Sequence, residues 1–165
     1  MSLWQLPYVA ENAEQIDEAR KNDYIAPLTK KQDSEGSNFS ALDYAGTIDF
    51  TYPKATEWYK RLLKNLLDMG VTCIKTDFGE NIHMDALYKG MKPELLNNLY
   101  ALLYQKAAYE ITKDVTGDGI VWARSAWAGC QRYPLHWGGD SCSSWDGMAG
   151  CLLYTSPSPR DRSLS

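Results

Sequence analysis

Histidine and paired cysteines are scarce in this sequence, which limits the chemistry that a bound metal could support. The 165 residues include only two histidines, His83 and His136. The four cysteines form no CxxC pair and lack the spacing of a zinc site; they are Cys73, Cys130, Cys142 and Cys151. We therefore predict a protein with reduced thiols, no metal site and no cofactor.

Long apolar runs and clusters of positive charge are also missing. No run approaches the roughly 20 residues that a membrane span needs, and no charged-then-apolar signal peptide opens the chain. The net charge is −4, and the lysines and arginines do not gather into a stripe. We expect neither a membrane nor nucleic acid as a partner, and a cytoplasmic location.

Tryptophan and tyrosine, by contrast, are abundant. The chain has six Trp and eleven Tyr against three Phe. Their rings combine a flat apolar face with a hydrogen-bonding edge, which suits the packing of sugar rings as well as protein cores. Core packing accounts for most of them, and for any single ring both interpretations stay open.

Strand and helix patterns alternate along the chain. Pro53 and Pro93 each open a helix, because a proline in the first helical turn has no N–H to leave unpaired. The stretch from Lys21 to Ile48 has no hydrophobic period and is predicted to be a long loop. The other predicted elements are strands at Leu3–Val9, Val71–Thr76, Ile120–Arg124 and Tyr133–Trp137, and helices at Glu11–Arg20 and from Ser143.

This alternation predicts an α/β fold with a parallel sheet. A (β/α)8 barrel needs eight units over about 250 residues, whereas about four strands are present here. We therefore predict a partial (β/α)8 TIM barrel over residues 1–150, with about four consecutive strands and their helices, truncated at both ends.

Residues 151–165 differ in character from the rest of the chain. A Ser-, Pro- and Arg-rich tail directly follows the start of a helix. Its codons can spell a common transposase sequencing adapter read in frame. We interpret the tail as non-native and exclude it from the fold; the alternative is an ordinary disordered tail.

Two aspartates each follow a short apolar run, and together they could form an active site. Asp77 follows the strand that ends at Thr76, and Asp140 follows Gly138 and Gly139. Cleavage of a glycosidic bond with retention needs one carboxylate as nucleophile and one carboxylic acid, roughly 5–5.5 Å apart. We expect positive neighbours to keep Asp77 ionised: Lys75 from its own strand and Arg124 from an adjacent one. The glycine-flanked loop could hold a protonated Asp140.

Five sequence blocks resemble glycoside hydrolase family 31, a family of retaining α-glycosidases on a (β/α)8 barrel. They occur in order and at workable spacing from Trp4 to about Gly150. The blocks are Gly46–Thr51, Trp58–Tyr59, Lys75–Glu80, Trp122–Ser125 and His136–Asp140.

The resemblance implies a role for each site residue. Asp77 would be the nucleophile that forms a covalent glycosyl-enzyme intermediate, and Asp140 the acid/base. The implied substrate-binding residues are Lys75, Phe78, Arg124, Trp137 and Trp4. The implied partner is a carbohydrate, and homo-oligomerisation of the parent protein is left open.

The resemblance also narrows the substrate. The Lys-Thr-Asp-Phe-Gly-Glu block from Lys75 to Glu80 is most similar to the α-xylosidase and bacterial α-glucosidase branches. Terminal α-linked xylose or glucose is therefore the expected substrate, although sulfoquinovosidases share a similar block. We expect the parent to be a glycosidase of the O-glycosyl-hydrolysing class and this chain alone to be an inactive barrel fragment.

Several residues in these blocks also have structural interpretations. Glu80 is predicted to be either a supporting partner of the site residues or part of a loop salt bridge, rather than a catalyst. Asp49 could bind substrate, but we predict that it fixes its own turn. His136 is predicted to be a hydrogen-bonded structural residue. Trp4 and Trp122 could belong either to the core or to the sugar site.

Overall fold

The computed structural model describes residues 1–27 and 44–155 and contains two small β-sheets packed against helices. The strands are β1 (Ser2–Gln5), β2 (Tyr8–Ala10), β3 (Ile25–Ala26), β4 (Tyr44–Ile48), β5 (Cys73–Thr76) and β6 (Val121–Ala123). The helices are α1 (Ile16–Lys21), α2 (Pro53–Asp68), α3 (Pro93–Thr116) and α4 (Trp145–Thr155), with a short 3-10 turn at Cys130–Arg132. Within this described part, no helix is both long and apolar enough to cross a membrane.

The first sheet is parallel and belongs to the barrel. Its strand order is β1-β5-β6, with Gln5 opposite Thr76 and Thr76 opposite Ala123. A fourth parallel segment lies beside β6 through a bridge between Ala123 and His136. The amide of Ala123 donates to the carbonyl of Leu135 at 2.9 Å, and the amide of Trp137 donates to the carbonyl of Ala123 at 3.3 Å. The prediction of an α/β fold with part of a (β/α)8 barrel is confirmed.

Helices α2 and α3 begin at the two prolines that the sequence indicated, and they pack against each other. Helix α3 ends at Gly117, whose φ of 83° is the left-handed conformation that favours glycine after a helix. Helix α3 also contacts β5 and β6. The side chains of Trp58, Leu63, Tyr100 and Tyr104 are almost fully buried between these layers. Burial of an aliphatic side chain such as Leu63 stabilises the fold by roughly 1.5–3 kcal/mol.

The second sheet is antiparallel, with the order β2-β4-β3, and the sequence did not indicate it. The predicted single strand Leu3–Val9 is instead two strands, and they belong to different sheets. Strands β3 and β4 both fall inside the predicted loop Lys21–Ile48. The polar stretch Asp33–Asn38 of that loop lies outside the described residues. Gly46 lies close to β3, because a Cβ there would come within 2.9 Å of the Ala26 carbonyl.

The ends of two predicted helices also differ in the structure. Helix α1 begins at Ile16 rather than at Glu11. Helix α4 runs from Trp145 to Thr155 and so crosses the proposed boundary at residue 150. Residues 156–165 of the proposed tail lie outside the described residues, and the adapter origin of the tail stays a prediction.

Candidate active site

The two faces of the barrel sheet have different surroundings. Side chains alternate between the faces of a strand, so the in-register neighbours Trp4, Lys75 and Trp122 share one face. Ile74 and Val121 point to the other face and are fully buried. We call the side of Trp4, Lys75 and Trp122 the open face, and the side that contacts α3 the covered face.

Asp77 directly follows β5 on the open face, and its side chain is only 10% exposed. The Trp4 indole N–H donates to Asp77 Oδ2, and Lys75 Nζ lies 3.6 Å from the same oxygen. The Phe78 amide donates to Asp77 Oδ1 at 3.0 Å, and the Arg124 guanidinium lies 3.5 Å from that oxygen. Each oxygen therefore has one hydrogen-bond donor and one positive charge, which matches an ionised, acceptor-only carboxylate.

The backbone turns sharply after Asp77. Phe78 has a φ of 56° and Gly79 a φ of 88°, which places both in the left-handed region that few side chains tolerate. A Cβ on Gly79 would lie 3.0 Å from the Tyr104 ring and 3.1 Å from Ser125 Oγ. Tyr104 also donates its hydroxyl to the carbonyl of Asp77 at 3.4 Å. Helix α3 thus fixes the turn that carries the carboxylate.

A buried polar group on the covered face links the ends of β5 and β6. Thr76 Oγ1 donates to Gln105 Oε1 at 2.5 Å, and the Gln105 amide donates to Ser125 Oγ at 3.3 Å. All three side chains are buried. Because unpaired buried polar groups are costly, this chain of hydrogen bonds holds the two strand ends, and hence Asp77 and Arg124, in register.

Arg124 follows β6 and contacts three carboxylates. Its Nε donates to Glu80 Oε1, while Nη1 lies 3.5 Å from Asp77 Oδ1 and 3.5 Å from Asp140 Oδ2. The guanidinium carbon lies 4.6 Å from the centre of the Phe78 ring. Partial burial acts to lower the pKa of Arg124, but the hydrogen bond to Glu80 and the carboxylate charges outweigh burial and raise it.

Asp140 reaches the same arginine from the loop after Trp137. Its side chain is 78% exposed, and the preceding Gly139 has a φ of 87°. Oxygens of Asp77 and Asp140 each lie 3.5 Å from one arginine nitrogen, so they are separated by no more than twice that distance. This limit includes the roughly 5–5.5 Å between the carboxyl groups of retaining glycosidases.

Lys75 lies among the aromatic rings of the open face. Its Nζ is 4.5 Å from the centre of the Trp137 ring and 5.7 Å from that of Trp122. The rings of Trp122 and Trp137 lie edge to face, with 6.1 Å between their centres. Trp4 and Trp122 are both exposed on this face. Rings beside charged groups can bind the apolar face and the hydroxyls of a sugar.

The sequence matches the model of one known protein family over most of its length. The model of the family described as "Glycosyl hydrolases family 31 TIM-barrel domain" matches residues 1–152. The chain belongs to glycoside hydrolase family 31. The resemblance in the five sequence blocks is thereby confirmed at the level of the family.

Named relatives in family 31 include enzymes with different sugar specificities. An alpha-xylosidase of Emericella nidulans is 36% identical over 158 residues, which cover 92% of this chain and 20% of that protein. A sulfoquinovosidase of Escherichia coli is 30% identical over 157 residues, covering 88% of this chain and 22% of the relative. The chain spans about one fifth of the length of these curated relatives.

Solved structures of family 31 show a similar fold. A sulfoquinovosidase from E. rectale, in complex with an aza-sugar inhibitor, aligns with a TM-score of 0.72 at 33% identity over 85% of this chain and 22% of that one. A cycloalternan-degrading enzyme from Trueperella pyogenes aligns with a TM-score of 0.77 over 91% of this chain and 22% of its own. At 21% identity, that second likeness shows the fold alone.

The structure brings all seven sequence-predicted site residues of this family 31 segment to the open face or its rim. Sequence reasoning missed Tyr104 and Gln105, which act from α3, because their contacts lie 27 and 29 residues from the strand that they fix. The sequence signal that could have found them is their position: both polar side chains fall within the apolar stripe of α3, where an isolated polar group needs a buried partner. In residues 1–27 and 44–155, no cluster of three or more His, Cys, Asp or Glu is placed to hold a metal ion.

Asp49 and His136, which were both given structural interpretations, differ in how their polar atoms are bonded. Asp49 is buried and accepts hydrogen bonds from the amides of Thr51 at 3.0 Å and Lys89 at 2.7 Å, as expected for a residue that fixes its turn. The expected hydrogen bond of His136 is missing at Nε2, which is buried without a partner in the described structure. Burial also lowers the pKa of His136.

Proposed function

We propose that this segment supplies the two catalytic carboxylates of a retaining α-glycoside hydrolase that cleaves terminal α-linked xylose or glucose. One observation carries the proposal: Asp77 and Asp140 contact the same nitrogen of Arg124 at the carboxyl ends of parallel strands. Active sites of (β/α)8 barrels lie at this end of the strands. Family membership supports the same reaction.

The reaction proceeds in two displacements. In the first, an Asp77 oxygen forms a bond to the anomeric carbon while the bond to the leaving oxygen breaks, and Asp140 gives its proton to that oxygen. In the second, Asp140, now a carboxylate, takes a proton from water. The water oxygen bonds to the anomeric carbon and Asp77 leaves, so the original configuration is restored.

The remaining open-face residues bind and orient the sugar. Arg124 and Lys75 offer N–H donors to sugar hydroxyls, and Trp137 offers an apolar ring beside them. Trp4 holds one Asp77 oxygen through its indole N–H and leaves part of its ring exposed. Phe78 packs over the guanidinium of Arg124. These contacts favour a single orientation of the sugar against Asp77.

Kinetics with the complete protein that carries this segment, called the full-length protein below, test the proposal. We expect hydrolysis of p-nitrophenyl α-xyloside or α-glucoside, with release of the α-configured sugar seen by proton NMR. Release of the β-anomer first, or no turnover of either glycoside, would contradict it.

A second substrate class has support from the comparisons. The E. coli relative and the E. rectale structure are both sulfoquinovosidases, at 30% and 33% identity. The full-length protein is therefore also assayed with p-nitrophenyl α-sulfoquinovoside. A kcat/KM larger for this substrate than for the xyloside and the glucoside would assign the sulfonated sugar instead.

The isolated chain is proposed to be inactive, or at most to bind sugar weakly. A (β/α)8 barrel places active-site residues on loops after many of its eight strands, whereas the described residues supply four parallel segments. Detectable p-nitrophenol release by purified residues 1–150 would overturn this proposal.

A further inference from the structure

We propose that Glu80 is a positioning residue for this reaction: it holds Arg124 through Nε, so that the arginine supports Asp77 without clamping the acid/base Asp140. The inference rests on the proposed function and extends it to a residue that is not expected to touch the substrate. Glu80 Oε1 accepts the hydrogen bond from Arg124 Nε across 44 residues of sequence.

The contacts of Arg124 are unequal, and that inequality is the first observation behind the proposal. The close contact of its guanidinium goes to Glu80. The contacts with Asp77 and Asp140 are both 3.5 Å and come from one nitrogen. Charge-assisted N–H···O bonds are typically about 2.7–2.9 Å long. Arg124 is therefore anchored on Glu80 and held loosely between the two proposed catalytic carboxylates.

The second observation is the ring that limits movement of the guanidinium. Phe78 lies 4.6 Å from the Arg124 guanidinium carbon, and the left-handed backbone of Phe78 and Gly79 fixes where that ring stands. With one edge bound to Glu80 and one face covered, the guanidinium has little freedom to turn. A bidentate pair with Asp140 would require it to turn.

The chemistry explains why such a restraint matters. The acid/base must carry a proton in the first displacement and release it to the leaving oxygen. A tight, bidentate arginine favours the carboxylate form of its partner and opposes that protonation. By occupying Nε and balancing part of the positive charge, Glu80 keeps Arg124 available to Asp77 while leaving Asp140 able to take up a proton.

The charges around the guanidinium are consistent with Arg124 supporting Asp77 while leaving Asp140 free to take up a proton. Lys75 and Arg124 are the positive groups, and Asp77, Glu80 and Asp140 are the negative ones. Removing Glu80 takes away one of three negative charges and the anchor together. An ordinary loop ion pair is the competing explanation, because the Glu80 side chain is 38% exposed and exposed pairs contribute only about 0–1 kcal/mol.

Substrates with different leaving groups separate the two explanations. The variants E80A and E80Q are made in the full-length protein and assayed with an α-glycosyl fluoride and with an alkyl α-glycoside of the same sugar. Fluoride leaves with little help from an acid, whereas an alkoxide needs the proton from Asp140.

For E80A we expect kcat/KM to fall roughly 100-fold with the alkyl glycoside and by less than about tenfold with the fluoride. The loss is expected in kcat rather than in KM. E80Q keeps an oxygen acceptor for Arg124 Nε and is expected to show the same selective loss at a smaller size. E11Q is the matched control, because Glu11 pairs with Arg20 on the exposed surface; its kinetics should equal those of the unchanged protein.

The outcomes distinguish this inference from the proposed function. Equal losses with both substrates, or no loss in either variant, would overturn the role of Glu80 while leaving the glycosidase assignment intact. Absence of turnover by the unchanged full-length protein with every glycoside would instead overturn the assignment. If circular dichroism shows that E80A is unfolded, E80Q decides, and equal losses with the two substrates in E80Q would refute the positioning role.

Discussion

The covered and open faces of the barrel sheet are made by alternating residues of the same strands, yet their roles differ. On the covered face, Ile74 and Val121 are fully buried, and the buried polar side chains of Thr76 and Gln105 bond to each other. On the open face, charged groups pair with one another beside exposed rings. Adjacent residues of one strand can therefore be separated into those that hold the fold and those that we propose to carry out the chemistry.

Asp77→Ala tests the most important residue of the open face. We expect kcat/KM of the full-length protein to fall by at least about 10⁴-fold, because the carboxylate proposed to bond to the anomeric carbon is lost. Added azide should restore some turnover and yield a glycosyl azide of inverted configuration. An unchanged rate would refute Asp77 as the nucleophile.

Asp140→Ala should have a smaller effect that depends on the leaving group. Loss of a general acid costs about 10²–10⁴-fold, and we expect that cost with alkyl glycosides but little loss with glycosyl fluorides. Here azide should give a product of retained configuration, since Asp77 still forms the intermediate. The same azide product from both aspartate variants would contradict their separate roles.

Two neighbouring substitutions compare the faces directly. Ile74→Ala removes a fully buried side chain from the covered face and should lower the free energy of unfolding by about 2–5 kcal/mol. Lys75→Met keeps the aliphatic stem on the open face and should change stability by less than about 1 kcal/mol.

Urea unfolding and steady-state kinetics measured on both variants check this prediction. The Lys75 variant should lose kcat/KM, because Lys75 lies 3.6 Å from Asp77 and beside Trp137. Ile74→Ala, once folded, should keep the KM of the unchanged protein. A large stability loss in the Lys75 variant without a kinetic defect would place Lys75 among the structural residues instead.

Much of the difference between the covered and open faces could be predicted from the sequence, because it depends on local signals. Pro53 and Pro93 mark the starts of α2 and α3, and Asp77 directly follows a short buried strand. The parallel β-α alternation and the family blocks then place the aspartates at one end of the barrel. These signals lie within a few residues of the features that they predict.

The antiparallel sheet could not be predicted in the same way. In β4, Gly46, Thr47 and Ile48 are buried consecutively, so the strand lacks the alternation that marks a half-buried strand. Its neighbours are also distant in sequence, with Thr47 pairing to both Tyr8 and Ala26. A pairing that depends on tertiary contacts leaves little trace in local periodicity.

The contacts within the candidate site could not be predicted from the sequence either. Arg124 was expected near Asp77, but its anchoring by Glu80 and its contact with Asp140 join residues 44 and 16 positions apart. Whether an arginine contacts one carboxylate or three depends on side-chain geometry. The residue types indicated a pair of carboxylates with positive neighbours, whereas only the fold determines which carboxylates the arginine contacts.

Gly79→Ala is expected to have the smallest effect, and it tests whether the two faces are coupled. Gly79 has a φ of 88°, and a Cβ there would press on Tyr104 and Ser125 at 3.0 and 3.1 Å. A left-handed alanine costs roughly 1–2 kcal/mol, and the contacts should also shift the turn that carries Asp77. We expect a similar loss of stability together with a fall of about tenfold in kcat.

Gly70→Ala is the matched control for this substitution. Gly70 has a comparable φ of 97°, but nothing lies within 4 Å of a Cβ added there. It should show the backbone cost in stability without any change in kcat. If both alanine variants lose stability equally and both keep full kcat, the turn after Asp77 does not transmit the packing of α3 to the open face. A kinetic defect confined to Gly79→Ala would show that the covered face sets the geometry of the proposed catalytic carboxylate, Asp77.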